Sequence, residues 1–233
     1  MRLLQWNIHH GIGTDGVLDL ERIAAWIAAI GPNLVSLNEV DDQESADAIR
    51  AGLERYTGQP WASMFSGRGN HVLTRLPVQS ASLCTYNGGA DRVAAHIGVT
   101  AGGRVVNLWS THLAVDSSST RAFEISALQN CASQWSEARL IAGDFNMQWT
   151  SGEYAVAAAS YVDAWAQARS LGVTINFDGN CDGCTRNSRI DYVFASQGAP
   201  WLQIQMAQVF DTRDGNGYMP SDHKPVLIVY EVR

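Results

Sequence analysis

The apolar stretch Leu140-Ile141-Ala142 runs straight into Gly143-Asp144-Phe145-Asn146, and turn-forming Ser151-Gly152 follows. A short apolar stretch that meets turn residues reads as a buried strand ending at a surface loop. Asp144 and Asn146 are two apart, so on an extended chain they face the same way while Phe145 points back into the core. A carboxylate beside an amide is costly to bury without partners. The pair therefore points to a site for a hard cation, a phosphate or an activated water. The competing reading is a turn, where Gly, Asp and Asn are common for backbone reasons alone. Apolar runs ended by polar residues recur along the chain, and that recurrence is what most constrains the fold.

Leu3-Leu4-Gln5-Trp6 reads as a first strand ending at Asn7, followed by a loop with His9, His10 and Gly11. Asp19 caps a helix whose Ile23, Trp26, Ile27 and Ile30 share one face, and Gly31-Pro32 stops it. Leu34-Val35-Ser36-Leu37 is a second buried strand, ending at Asn38-Glu39. A strand–helix–strand unit favours parallel pairing, which sets Asn7 and Glu39 at the same carboxyl end, where open α/β sheets place their ligands. A helix follows from Gln43 to Glu54, then strands over 61–65, 72–74, 78–85, 93–100 and 104–111, broken by Gly88-Gly89 and Gly102-Gly103 in the manner of antiparallel hairpins. His112 ends the last of these. A helix from Ser119 to Trp135 presents Ile125, Leu128, Ala132 and Trp135 on one face, and alanine-rich helical segments occupy 152–169. Arg189 to Phe194 is a strand carrying Asp191, and Ser221-Asp222-His223-Lys224-Pro225 leads into a final strand, Val226 to Tyr230. With 233 residues and no linker, the expectation is one domain over 1–233.

No apolar run approaches the roughly 20 residues of a membrane helix, so stable membrane insertion is not expected. The first strand begins at Arg2, so no signal peptide is read in these residues. The net charge of -7 argues against coating nucleic acid through basic surface alone, but not against meeting phosphate through a bound metal. Of the four cysteines, Cys84 and Cys131 read as buried small hydrophobes. Cys181-Asp182-Gly183-Cys184 lacks the second ligand pair that zinc needs, which leaves a local disulfide as the expectation. Such a disulfide would suit an oxidising compartment, and its absence the cytoplasm.

Each strand-end polar residue has a bland reading alone: Glu39 as a helix cap, His112 as a satisfied core histidine, Asp191 paired to Arg189 or Arg186, Asp222 capping a turn. Jointly, acids and amides at one pole of a sheet suit Mg²⁺, and two histidines beside them suit proton transfer or charge stabilisation. The motifs Gln5-Trp6-Asn7, Leu37-Asn38-Glu39-Val40, Gly69-Asn70 before Leu73-Thr74-Arg75-Leu76-Pro77, Thr111-His112-Leu113, Gly143-Asp144-Phe145-Asn146, Arg189-Ile190-Asp191-Tyr192 and Ser221-Asp222-His223-Lys224-Pro225 occur in this order. In that order they resemble the endonuclease/exonuclease/phosphatase superfamily, with its deoxyribonuclease-I-like fold, along essentially the whole chain.

The resemblance implies an α/β (α+β) fold, a four-layer α/β/β/α sandwich with two mixed sheets face to face, and hydrolysis of a phosphate ester with Mg²⁺ or Mn²⁺. By position, Glu39 resembles the main metal ligand, with Asn7 and Asp222 near the ion. Asp144 would orient or activate the attacking water, and Asn146 would hold a phosphate oxygen. His223, oriented by Asp191, would stabilise charge developing on phosphorus, and His112 would contact the phosphate or assist the leaving group. Asn70 and Arg92 are further candidates for phosphate contact, with Arg68 and Arg75. The chain departs from the abasic-site nucleases of the superfamily in carrying His9 two residues after the first Asn, where they have an acid, and in offering His112 where they place a Tyr.

The expected partner is a phosphodiester substrate, with nucleic acid first by family frequency. A phospholipid or sphingomyelin headgroup is second, with Trp61, Trp149 and Tyr218-Met219 as an apolar rim, and a small phosphorylated metabolite is third. A monomer is the default. A binding module that has kept the fold without chemistry is the reading from another class, and the intact polar set argues against it.

Overall fold

The strand–helix–strand unit forms as β1 (Arg2–Asn7), α1 (Leu20–Ile30) and β2 (Leu34–Val40), with β1 parallel to β2 and Asn7 level with Asn38. The Asp19 carboxylate accepts the Arg22 N–H to start α1, and Gly31, at φ 70°, ends it. The computed structural model describes residues 1–86, 92–177 and 181–233, so Gly88-Gly89 lies outside the described residues. Next come α2 (Gln43–Thr57), β3 (Ala62–Phe65), β4 (Gly69–Thr74), β5 (Val78–Thr85), β6 (Val93–Ala101) and β7 (Arg104–His112). They are followed by α3 (Ser118–Ala132), β8 (Ala138–Asp144), α4 (Gly152–Ala158), β9 (Tyr161–Asp163), α5 (Ala164–Ser170) and β10 (Thr174–Ile175). The chain ends with β11 (Asp191–Ser196), β12 (Leu202–Val209) and β13 (Val226–Val232).

Two mixed sheets result, in the orders β10-β12-β13-β1-β2-β4-β3 and β5-β6-β7-β8-β11-β9. Leu3, Leu34 and Val72 of the first meet Ala95, Leu108 and Leu140 of the second in a central core. A second cluster lies under α1 and α2, around Ile23, Ile27, Ile49 and Leu53, and a third under α3 and α4, around Ile125, Leu128 and Phe145. Helix, sheet, sheet and helix are thus four layers, each amphipathic element burying its apolar face against the next. No helix among the described residues is long and apolar enough to cross a membrane.

Some features differ from the sequence reading. The alanine-rich helical segments form as α4 and α5, but a strand separates them: Tyr161–Asp163 pairs with β11, and the Asp163 carboxylate accepts the N–H groups of Trp165 and Ala166, which starts α5. Trp135 lies beyond α3 and packs on His96, 4.5 Å between ring centroids. Cys84 and Cys131 are not separate apolar side chains: β5 and α3 bring their Cα atoms to 6.3 Å and they form a disulfide, as do Cys181 and Cys184.

Candidate active site

Each sheet contains a parallel pair, β1–β2 in one and β7–β8 in the other, and their carboxyl ends meet. Asn7, Glu39, His112 and Asp144 are therefore brought together from four strand ends. His112 sits level with Asp144, and Asp191, at the start of the antiparallel β11, sits level with Asp144 on its other side. His223 enters from the segment before β13. The close pairing of β7 and β8 needs a residue without a side chain at 143, because a Cβ there would lie 1.8 Å from the Thr111 carbonyl oxygen.

Among the described residues, the non-glycine residues with left-handed backbone are His9, His10, Glu39 and Asn146, and all belong to this pole. Such conformations are strained, and they concentrate where side chains must be aimed against the local rule. At Glu39, φ is 60° and the β2–β4 register shifts between Leu37 and Val40, so the bulge turns the carboxylate toward the cleft. At Asn146, φ is 49°, and its N–H donates to Asp144 Oδ1 at 2.9 Å. The extended geometry expected for Asp144 and Asn146 is replaced by this turn, which still brings both to the site. Phe145 is buried, as its alternation requires.

Asp144 is the hub. Its Oδ2 accepts from Asn7 Nδ2 at 3.0 Å and stands 3.7 Å from His112 Nε2 and 3.9 Å from His223 Nε2. Ligand atoms of Glu39, His112 and Asp144 lie within 4.8 Å of one another, and so do those of Asp144, Asp191 and His223. The first set, two carboxylates and an imidazole, fits a divalent cation by donor chemistry. Its surplus negative charge also calls for one: burial and the like charge of Asp191 push the Asp144 pKa up from the ordinary carboxylate range.

The two histidines are driven apart. Burial and the nearby Arg92 lower the His112 pKa, which leaves a neutral ring whose Nε2 lies 3.1 Å from the Asn146 amide nitrogen. Burial works against charge on His223 too, but Asp191, Asp144 and Asp222 outweigh it and raise the pKa to about 9. The His223 Nδ1–H donates to Asp191 Oδ2 at 2.8 Å, which fixes the tautomer and turns Nε2 into the site.

Some expected residues take other places. Asn7 is at the centre, but its oxygen accepts the His9 N–H while its nitrogen donates to Glu39 Oε1 at 2.8 Å and to Asp144, so it bridges the carboxylates as a donor instead of presenting a ligand oxygen. Asn70 has no access to a phosphate: it is fully buried, its oxygen accepting from Asn38 and its nitrogen donating to the Val93 carbonyl. Asp222 stands on the rim, bridged to Arg186 at 2.7 Å and 3.9 Å from His223 Nε2. Arg92 and Arg68 line a cleft of about 400 Å³ with Glu39 and His112. Arg75 is at the opposite end of the sheet and packs on Trp61, itself buried and not on a rim. Trp149 and Tyr218 are exposed, at 61% and 45%.

Other functional neighbours were not assigned from sequence. His10 Nε2 lies 3.4 Å from Glu39 Oε2, and its ring also pairs with Asp41. Gln5 and Asn38 form a buried amide network: Gln5 Nε2 donates to Asn38 Oδ1 at 2.6 Å and to Asp191 at 3.3 Å, and Asn38 Oδ1 accepts the Asp144 N–H at 2.9 Å. Both stand beside residues that were assigned, and their inward position at strand ends is the only signal the sequence offers.

No curated protein matches the sequence. Solved structures with the same fold include a Bacteroides vulgatus endonuclease/exonuclease/phosphatase, at a TM-score of 0.81 and 17% identity over 100% of this chain and 98% of that one. A Leptotrichia buccalis family protein superposes at 0.78, with 18% identity over 99% of each chain. A Bacteroides thetaiotaomicron mannosyl-6-phosphatase does so at 0.76, with 14% identity over 99% of each. The model of the Endonuclease/Exonuclease/phosphatase family matches residues 4–223. The chain belongs to that family of phosphate-ester hydrolases.

Proposed function

We propose that the chain, as one domain, is a divalent-metal-dependent phosphodiesterase using Mg²⁺ or Mn²⁺, with nucleic acid as the first substrate class. The observation that carries the reading is the sharing of buried Asp144 between a cation-type cluster and a charged His–Asp pair. Glu39 and neutral His112 would hold the ion beside Asp144. Bound there, the cation would supply Lewis acidity and neutralise charge at the phosphate. Asp144, whose proton affinity burial raises, takes the proton of the attacking water. Charged His223, held by Asp191, donates to a phosphate oxygen as charge develops on it. Asn146, whose amide nitrogen lies 3.1 Å from both His112 Nε2 and the Leu113 carbonyl, would hold a phosphate oxygen by exchanging one of these partners for it, and Arg92, with Arg68, faces the substrate from the cleft wall.

A second reading, a phospholipid or sphingomyelin-type headgroup, is favoured by exposed Trp149 and Tyr218 on loops flanking Asn146 and Asp222. A panel of plasmid DNA, RNA, sphingomyelin, a sugar phosphate and an aryl phosphodiester, each with Mg²⁺, Mn²⁺ or chelator, separates these. Chelator-sensitive cleavage of nucleic acid above all others is the expected result. Preference for sphingomyelin supports the second reading, and no metal-dependent hydrolysis of any of them refutes both.

A further inference from the structure

Asp191, which orients His223, is itself held from behind by the loop Cys181-Asp182-Gly183-Cys184-Thr185-Arg186. Thr185 is fully buried, and its hydroxyl donates to Asp191 Oδ2, the oxygen that also accepts from His223 Nδ1. Its carbonyl oxygen accepts the N–H of Lys224, the neighbour of His223, at 2.6 Å. Arg186 bridges to Asp222 at 2.7 Å. Two consecutive loop residues thus touch Asp191, the backbone beside His223 and Asp222.

This loop has neither helix nor strand to fix its shape. Specific ties replace them. The Trp165 indole N–H donates to Asp182 Oδ1 at 3.0 Å, and the Gly183 N–H to Asn176 Oδ1 at 2.8 Å. Gly183 adopts φ +71°, and a Cβ there would meet Trp165 at 2.6 Å. The disulfide joins Cys181 to Cys184, immediately before Thr185. A short covalent ring removes alternative conformations that an untied loop would sample.

We propose that Thr185 is a positioning residue of the catalytic centre and that the Cys181–Cys184 disulfide holds it in place, so that turnover falls when that disulfide is reduced. Reduction is by a dithiol: the S–S bond breaks, two electrons and two protons pass to the cysteines to give two thiols, and the dithiol closes to its own disulfide. The effect on turnover rests on the phosphodiesterase reading, but the state of the Asp191–His223 pair is observable without any substrate.

The test compares wild type, Thr185→Val, Thr185→Ser and the Cys181→Ser/Cys184→Ser double variant, each with and without dithiol. kcat and KM on an aryl phosphodiester with Mn²⁺, the thermal midpoint, and the downfield imidazole N–H proton of His223 in the NMR spectrum are recorded. That proton is assigned by its loss in His223→Gln. Thr185→Val is expected to lower kcat by roughly 10- to 100-fold, the usual effect of removing an outer partner, with KM and thermal midpoint near wild type and the N–H resonance shifted or broadened. Thr185→Ser keeps the hydroxyl and restores both. Reduced wild type resembles the double variant, and dithiol has no further effect on the double variant, which separates this pair from Cys84–Cys131. Free thiols at Cys181 and Cys184 in the unreduced, denatured protein overturn the proposal. So does wild-type turnover in Thr185→Val, or equal impairment of Thr185→Ser. If wild type hydrolyses no phosphodiester, the functional reading fails and the resonance alone decides: its indifference to Thr185→Val and to dithiol overturns the positioning role.

Discussion

Asp144 and His223 have opposite protonation tendencies for reasons that lie in their neighbours. Burial makes Asp144 hold a proton more readily, while Asp191 and the other nearby carboxylates keep His223 charged in spite of burial. One site thereby keeps a base and a cationic donor side by side. His223→Ala should lower kcat on an aryl phosphodiester by about 100-fold or more, the scale of removing a preorganised charge-stabilising donor, while Mn²⁺ affinity, measured by calorimetric titration, stays near wild type. Glu39→Gln should do the reverse in binding and weaken Mn²⁺ by roughly tenfold or more. Equal Mn²⁺ affinity in the two variants would remove Glu39 from the cation site. These residues are legible in the sequence because each interrupts an apolar run with a group that water would otherwise solvate. His10 and Asn38 are harder to assign, because backbone recruits them: a left-handed turn at His10 and the β2 bulge between Leu37 and Val40. No residue type announces such turns when glycine is absent.

At the scale of elements, β4 passes beneath α2 and carries His71, which is buried with neither ring nitrogen hydrogen-bonded. Burial lowers its pKa from the ordinary 6.5 to about 3. The sign follows from linkage: between those values the unfolded chain takes up a proton that the folded protein refuses, so this contribution is intact above pH 6.5 and is lost as pH falls toward 3. The loss is on the order of several kcal/mol at its limit. His71→Phe should gain stability relative to wild type progressively below pH 6.5, read by urea unfolding across pH. A difference between the two that does not change with pH would contradict it. The β7–β8 pair carries a second prediction. Gly143→Ala should destabilise the protein by about 3 kcal/mol, because the added carbon overlaps the Thr111 carbonyl, and urea unfolding at neutral pH measures it. Strands and helices with clean periodicity, such as α1 and Val78–Thr85, were readable. The strand β12 lies outside the strands read from sequence, although Leu202, Ile204 and Met206 alternate with Gln203 and Gln205. β9 was hidden because three residues between alanine-rich helices carry too little pattern to override helix propensity.

The whole molecule turns two strand–crossover–strand units face to face, so that carboxyl ends of strands from different sheets share one pole. That arrangement was legible only through the order of the motifs, since nothing in local periodicity says which sheet a strand joins. It is also what makes the site a property of the fold: Glu39 and Asp144 reach one another only because β2 and β8 belong to opposite sheets. The proposed function makes this shared pole a metal-dependent hydrolytic centre with Asp144 at its middle. The most direct test is the steady-state rate on an aryl phosphodiester with Mn²⁺, for wild type and Asp144→Asn, before and after chelator. The expected result is a wild-type rate that chelator abolishes and Mn²⁺ restores, and about a 100-fold lower rate in Asp144→Asn. Chelator-insensitive turnover, or wild-type turnover in Asp144→Asn, would contradict it.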